Sequence, residues 1–273
     1  MSTVITIAPT GPIATKADNP HLPTSPEEIA EAVVDGYHAG ASVAHIHLRD
    51  EQQRPTADLA IGRRVMELIA ERCPILIQVS TGVGLTVPFE QREKLVELRP
   101  QMATLNPCSM TFGQGEFRNP PEGVARLAAK MRDLGIKPEL EIYDTGHLDE
   151  CLRLRDQGLL QEPLQFSIVL GVRGGMAATA DNLLAMVRRL PHEATWQVIA
   201  IGRANLALTA IGLALGGNAR AGLEDTLYLE RGRLAEGSTP LVERTARLAV
   251  DLGQKVATVE QTADCLGLNL SNV

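Results

Sequence analysis

Two histidines one residue apart, His45-Ile46-His47, close an apolar run that continues into Leu48-Arg49-Asp50. Side chains on an extended strand alternate between its faces, so His45 and His47 project to one side, close enough to share a cation. Two imidazoles on one strand lack only a third ligand to make a catalytic metal site with an open position. Without such a role, a same-face pair of core histidines is costly unless every ring nitrogen is satisfied. The candidate third donor is Glu224, in the run Arg220-Ala221-Gly222-Leu223-Glu224-Asp225, with Glu141 as the alternative. Two histidines and a carboxylate suit Zn2+, or else Fe2+ or Mn2+.

Such residues need a scaffold that brings distant strand ends together. Short apolar runs alternate with amphipathic stretches along the whole chain. The expected strands are Val4–Ala8, Val43–His47, Ile75–Val79, Met102–Leu105, Glu139–Tyr143, Gln165–Leu170, Trp196–Ile201 and Ala219–Gly222. Ser25-Pro26-Glu27-Glu28 opens the first helix as a capping box with proline at the first helical position. Pro121-Glu122 opens another helix, and Leu134-Gly135 closes it. Strand followed by helix, repeated about eight times, predicts a single (β/α)8 TIM barrel over residues 1–273. A doubly wound open sheet would show fewer units and a glycine-rich phosphate turn after its first strand, which Pro9-Thr10-Gly11-Pro12 is not. Thr258 and Gln261 form a further capping box, predicting an extra C-terminal helix on the surface or at a subunit contact.

In a barrel of this kind, polar residues at the C-terminal strand ends read as catalytic. That rule collects Ser80-Thr81-Gly82, Thr104 with Asn106, Glu141 with Tyr143-Asp144, Gly202-Arg203, and the run from Arg220 to Asp225. The loops 10–24 and 106–120, longer than ordinary connections, lie on the same face. The net charge of −7 argues against nucleic acid as a partner, so an anionic substrate must be met by a local group of arginines. Lysines are few, and only Lys16 is placed to approach the site, which disfavours a Schiff-base aldolase. Ser80 and Thr81 have no histidine base in a recognisable pattern, which disfavours a serine hydrolase. Cys73, Cys108, Cys151 and Cys265 show no metal or disulfide spacing, and the expectation is reduced thiols in a cytoplasmic protein. No apolar run approaches the ~18 residues of a membrane span, so no membrane is expected. What remains is metal-polarised carbonyl chemistry among arginines, with a β-keto acid or similar oxyanion deprotonated beside its carbonyl.

Five collinear segments, His45–Asp50, Ser80–Gly82, Thr104–Asn106, Glu139–Asp144 and Gly216–Asp225, resemble the β-keto acid cleavage enzymes, the family of 3-keto-5-aminohexanoate cleavage enzyme. The resemblance implies a TIM barrel, assembled as a homotetramer, with zinc held by His45, His47 and Glu224. It implies Arg220 and Asp225 as a pair assisting proton abstraction, and Ser80, Thr104, Asn106 and Glu141 as positions that contact substrate or shape its pocket. The implied reaction joins a β-keto acid and acetyl-CoA. The enolate formed at C2 attacks the thioester, then CoA captures the remaining acyl group as acetoacetate leaves. A guanidinium, with a pKa above ~12, is a poor base, so Arg220 is expected to stabilise the enolate, while Asp225 or metal-bound hydroxide takes the proton. Where the amino-substrate enzyme carries a glutamate, this chain has Gly11-Pro12-Ile13, and Ile13 predicts a neutral aliphatic substrate tail.

Two other readings compete. Metal-dependent hydrolases of the amidohydrolase type also use His-x-His in a barrel, but on the first strand and with further histidines on strands five and six. The remaining histidines here, His21, His38, His147 and His192, fit no such pattern. A barrel retained only as a ligand-binding or assembly subunit would have no need for so many polar strand ends.

Overall fold

The computed structural model describes residues 2–269. Met1 and residues 270–273, which the single-domain expectation includes, lie outside the described residues. Eight parallel strands follow one another around a closed barrel: β1 (Ile5–Ile7), β2 (Val43–Ile46), β3 (Leu76–Val79), β4 (Met102–Leu105), β5 (Lys137–Ile142), β6 (Gln165–Leu170), β7 (Thr195–Ala200) and β8 (Asn218–Ala221). Helices α1 (Pro26–His38), α2 (Leu59–Ala70), α3 (Phe89–Arg92, continued as a 3-10 turn), α4 (Pro121–Asp133), α5 (Thr145–Asp156), α6 (Ala180–Val187), α7 (Asn205–Ala214) and α8 (Thr239–Asp251) fill the connections and the return after β8. This is the (β/α)8 barrel expected from the alternation of periods 2 and 3.6.

The local signals act as read. Ser25 caps α1, its hydroxyl accepting from the Glu28 backbone while Glu28 reaches back. Thr258 and Gln261 do the same for the extra helix, α9 (Val259–Leu266). Val259, Ala263 and Leu266 of that helix pack on Val4, Val43, Leu76 and Met102, sealing the end of the barrel where the first strands begin. The apolar core lies mainly between barrel and helices, with Ile29, Val33 and Val65 on one side and Leu127, Met131 and Phe166 on the other.

Differences from the sequence reading sit at the edges. β5 begins at Lys137, two residues earlier than expected, because Lys137 and Pro138 pair with Met102 and Ala103 of β4, while the Lys137 ammonium donates to the Pro163 carbonyl. Two hairpins rise from the mouth. One pairs Met110–Phe112 with Gly115–Phe117 inside the long loop after β4; the other pairs Tyr228–Glu230 with Arg233–Leu234 after β8.

Candidate active site

Three of the predicted residues meet at the mouth. His45 lies near the end of β2 and His47 one residue past it, both essentially buried, with ring centroids 5.2 Å apart. Glu224 follows β8, and β1 alone separates β8 from β2. To cross that gap, Glu224 passes over the first-strand loop at Gly11, where a Cβ would stand 2.5 Å from Glu224 Cγ. Glycine is therefore required at position 11 by close approach. Glu224 Oε2 then lies 3.5 Å from His45 Nε2, and Oε1 lies 3.4 Å from His47 Nε2.

Below this cluster the barrel interior is polar. His45 pairs in register with Gln78, and Nδ1 of the ring lies 2.7 Å from Gln78 Oε1 and 3.6 Å from Glu139 Oε2. Glu139 accepts from Ser167 Oγ at 2.5 Å and from Gln197 Nε2 at 2.7 Å. Donation from Nδ1 to Gln78 fixes the tautomer that leaves a lone pair on Nε2. Nε2 of His45 is buried without a hydrogen-bond partner, as is Glu224 Oε2. Orphaned lone pairs facing one another in a buried site are what a cation would satisfy. Burial alone would lower the His45 pKa, yet Glu224, opposed by Arg220 and aided by Glu139, raises it to about 9. Burial holds the His47 pKa below its ordinary value.

Gln78 and Glu139 were not singled out from the sequence. Both obey the alternation that found the histidines: Gln78 is two residues before Ser80, and Glu139 two before Glu141. Replacing Gln78 by leucine is expected to weaken divalent-metal affinity roughly 10- to 100-fold, the usual effect of removing the partner that orients a ligating histidine. Competition with a chromophoric chelator measures it; unchanged affinity would mean that Gln78 does not set the ring.

Arg220, on β8, is the second focus. Its Nε and Nη2 donate to Asp225 at 2.9 and 2.5 Å, and Nη2 also donates to Glu224 Oε1 at 2.9 Å. Its Nη1 is buried with no hydrogen-bond partner, 3.8 Å from Glu141 Oε1. Burial opposes the charge, but Asp225, Glu224 and Glu141 more than offset it and hold Arg220 well above its ordinary pKa. Asp225 is fully buried, and that burial raises its carboxyl above the usual range despite Arg220. Burial, then the neighbouring Glu139, pushes Glu141 up to about 7.

A pocket runs from this cluster to the surface. Its walls include His47, Ser80, Glu141, Arg220 and Glu224 at the base, with Ile13, Leu85, Phe112 and Val172 above. Thr104 and Asn106 stand behind the wall. Thr104 Oγ1 accepts from the Thr81 backbone at 2.8 Å and shapes the loop after β3, while both side-chain polar atoms of Asn106 are buried without partners. Arg49 donates to the carbonyls of Gly11 and Ala14 and so clamps the loop that carries Ile13. Lys16 does not approach the site as expected; its ammonium pairs with Glu28 at 2.5 Å. The α1 capping box, which turns Glu28 back toward the preceding loop, is the reason.

A family model described as beta-keto acid cleavage enzyme matches residues 2–268. The 3-keto-5-aminohexanoate cleavage enzyme of Fusobacterium nucleatum subsp. nucleatum is 38% identical over 267 residues, covering 97% of this chain and 97% of that one. The 3-oxoadipate:acetyl-CoA acetyltransferase of Cupriavidus necator is 35% identical over 269 residues, covering 97% of this chain and 94% of the relative. Among solved structures, apo ObcA aligns with a TM-score of 0.80 at 22% identity. That alignment covers 92% of this chain and 66% of ObcA, and at such identity the likeness concerns the fold.

Proposed function

The chain belongs to the β-keto acid cleavage enzyme family, and we propose that its barrel mouth converts a β-keto acid and acetyl-CoA to acetoacetate and a new acyl-CoA. The observation that carries this reading is Arg220: a buried guanidinium locked by two carboxylates, with Nη1 free of hydrogen bonds and 3.8 Å from Glu141. That arrangement suits an enolate, because its positive charge is fixed before negative charge develops.

His45, His47 and Glu224 would hold the metal. Their ligand atoms lie within 4.8 Å of one another, and the set suits Zn2+, the ion the resemblance implies, or else Fe2+ or Mn2+. His45, Glu139 and Glu141 also approach one another, but Nδ1 of His45 is committed to Gln78 and one oxygen of Glu139 to Ser167 and Gln197. When bound, the cation would act as a Lewis acid on the substrate carbonyl.

This chain's own groups then divide the work. Asp225, raised by burial, accepts the C2 proton, and Arg220, held by Asp225 and Glu224, offers its Nη1 to the enolate oxygen. The C2 carbanion attacks the acetyl carbonyl, and the C–S bond breaks to release CoA thiolate. The thiolate adds to the former keto carbon, the C2–C3 bond breaks, and Asp225 returns its proton to acetoacetate. Ser80 and Glu141, at the pocket base, are positioned for the substrate's polar end.

The tail region is apolar. Ile13, Leu85, Phe112 and Val172 surround it, and Ile13 is 64% exposed, free to cover a ligand. Asp18 and Glu116, the acids of the flanking loops, do not line the pocket and are engaged elsewhere: Asp18 accepts from Thr15 at 2.8 Å and Glu116 pairs with Arg118 at 2.9 Å. An ammonium buried here would lack a counter-charge, at a cost of several kcal/mol. A neutral β-keto acid is therefore expected to exceed 5-amino-3-ketohexanoate in kcat/KM by roughly tenfold or more. A clear preference for the amino substrate, in assays with acetyl-CoA, would reject the neutral-tail assignment. The same reading includes a homo-oligomer, a tetramer by the resemblance; exposed Leu215, Val250 and Leu252 at the ends of α7 and α8 offer an apolar face for it.

A further inference from the structure

Beside the mouth lies a second, larger hollow of about 1110 Å³, which the chemistry at Arg220 does not use. It starts at Glu224 and Asp225 and runs between the start of α7 and the Tyr228–Leu234 hairpin. Arg203, Arg231 and Arg244 line it. Many surface arginines meet carboxylates, as Arg64 meets Glu27 and Arg126 meets Glu93. Among the described residues, none of these three has a carboxylate within ion-pair distance. Glu230, which also borders the hollow, is paired with Arg233 at 3.3 Å.

Arg244 is the most telling. It reaches up from α8, donates to the Leu229 carbonyl and lies 3.4 Å from Asn205 Oδ1, while its Nε is buried without a partner. Burial, and then nearby Arg247, hold its pKa below the ordinary value. A half-buried cation with no counter-charge, in a protein of net charge −7, marks a place where an anion is missing. Away from Glu224 and Asp225 at its inner end and the paired Glu230, the lining includes exposed apolar side chains, with Leu206 at 42% and Tyr228 at 51%.

The geometry points to this hollow as the seat of the phosphate-bearing end of the CoA thioester, with Arg203, Arg231 and Arg244 receiving its phosphates. The inference rests on the proposed use of acetyl-CoA and adds where it binds. Guanidiniums match phosphate oxygens with paired donors. Tyr228 offers a ring face for the adenine. The apolar lining suits the long pantetheine arm, whose thioester end enters where the hollow opens on Glu224 and Asp225.

Arg203→Ala, Arg231→Ala and Arg244→Gln test it in the full chain. Each is expected to raise the KM for acetyl-CoA about tenfold or more. The gap between variants and wild type should close with acetyl-pantetheine, which carries the same thioester but no phosphate. Titration with 3′-phosphoadenosine 5′-diphosphate gives a readout independent of turnover: the wild type binds it, and the variants bind it more weakly by a similar factor. If the wild type turns over acetyl-CoA and the variants match it in KM and in titration, the phosphates sit elsewhere and the reaction stands. If the diphosphate binds and the variants lose it while no acetyl-CoA turnover is seen, the groove stands and the reaction is wrong.

Discussion

Replacing His47 by alanine is expected to strip the barrel mouth of tight-binding metal while the protein remains folded. His47 stands one residue beyond β2, at the rim, and its ring contributes to no apolar cluster. The barrel's stability comes from the layers between strands and helices, which this change leaves intact. Loss of an orienting partner already costs roughly 10- to 100-fold in affinity, so loss of a ligand itself should cost at least ~100-fold. Because metal polarisation of a carbonyl is worth several kcal/mol, kcat/KM should fall ~1000-fold or more. Metal analysis after dialysis, alongside circular dichroism, separates the two effects. An unchanged metal content of about one ion per chain would reject His47 as a ligand.

The second large effect belongs to Arg220 and Asp225. Arg220→Gln removes the fixed charge beside the reacting carbon, and Asp225→Asn removes both the proton acceptor and the partner that holds Arg220. Each is expected to lower kcat by roughly 100-fold or more with a smaller change in KM, the pattern of an interaction realised in the transition state. Asp225 works only when ionised, and burial raises its pKa. In the wild type the acid limb of the kcat profile should accordingly lie above the range of an exposed aspartate, with rate falling as pH drops. A wild-type kcat with only a raised KM in either variant would make that residue a substrate anchor.

The eight strands were legible within two residues at each end because burial on both faces makes each a short apolar run bounded by polar strand ends. The capping boxes at Ser25 and Thr258 were legible because they are local chemistry. The meeting of Glu224 with His45 and His47 followed from barrel order alone, given that β1 separates the strands concerned. What escaped was the polar layer inside the barrel. Only cross-strand register reveals that Gln78 meets His45 and that Glu139, Ser167 and Gln197 bond to one another. The Tyr228–Leu234 hairpin escaped for a different reason: its pairing is irregular between Tyr228 and Glu230, and Gly232, at φ +82°, is its one turn signal. Thr104, expected to contact substrate or shape its pocket, holds the Thr81 backbone through its hydroxyl.

The central claim, that two carbons of the β-keto acid leave as part of acetoacetate while CoA takes the rest, is tested most directly by isotope. Acetyl-CoA labelled with carbon-13 at the acetyl carbonyl is incubated with enzyme and an unlabelled neutral β-keto acid, and the products are followed by NMR and mass spectrometry. The label should appear wholly at C3 of acetoacetate, in step with formation of an unlabelled acyl-CoA. Unlabelled acetoacetate, label retained in the acyl-CoA product, or cleavage of the β-keto acid by water without acetyl-CoA would contradict it.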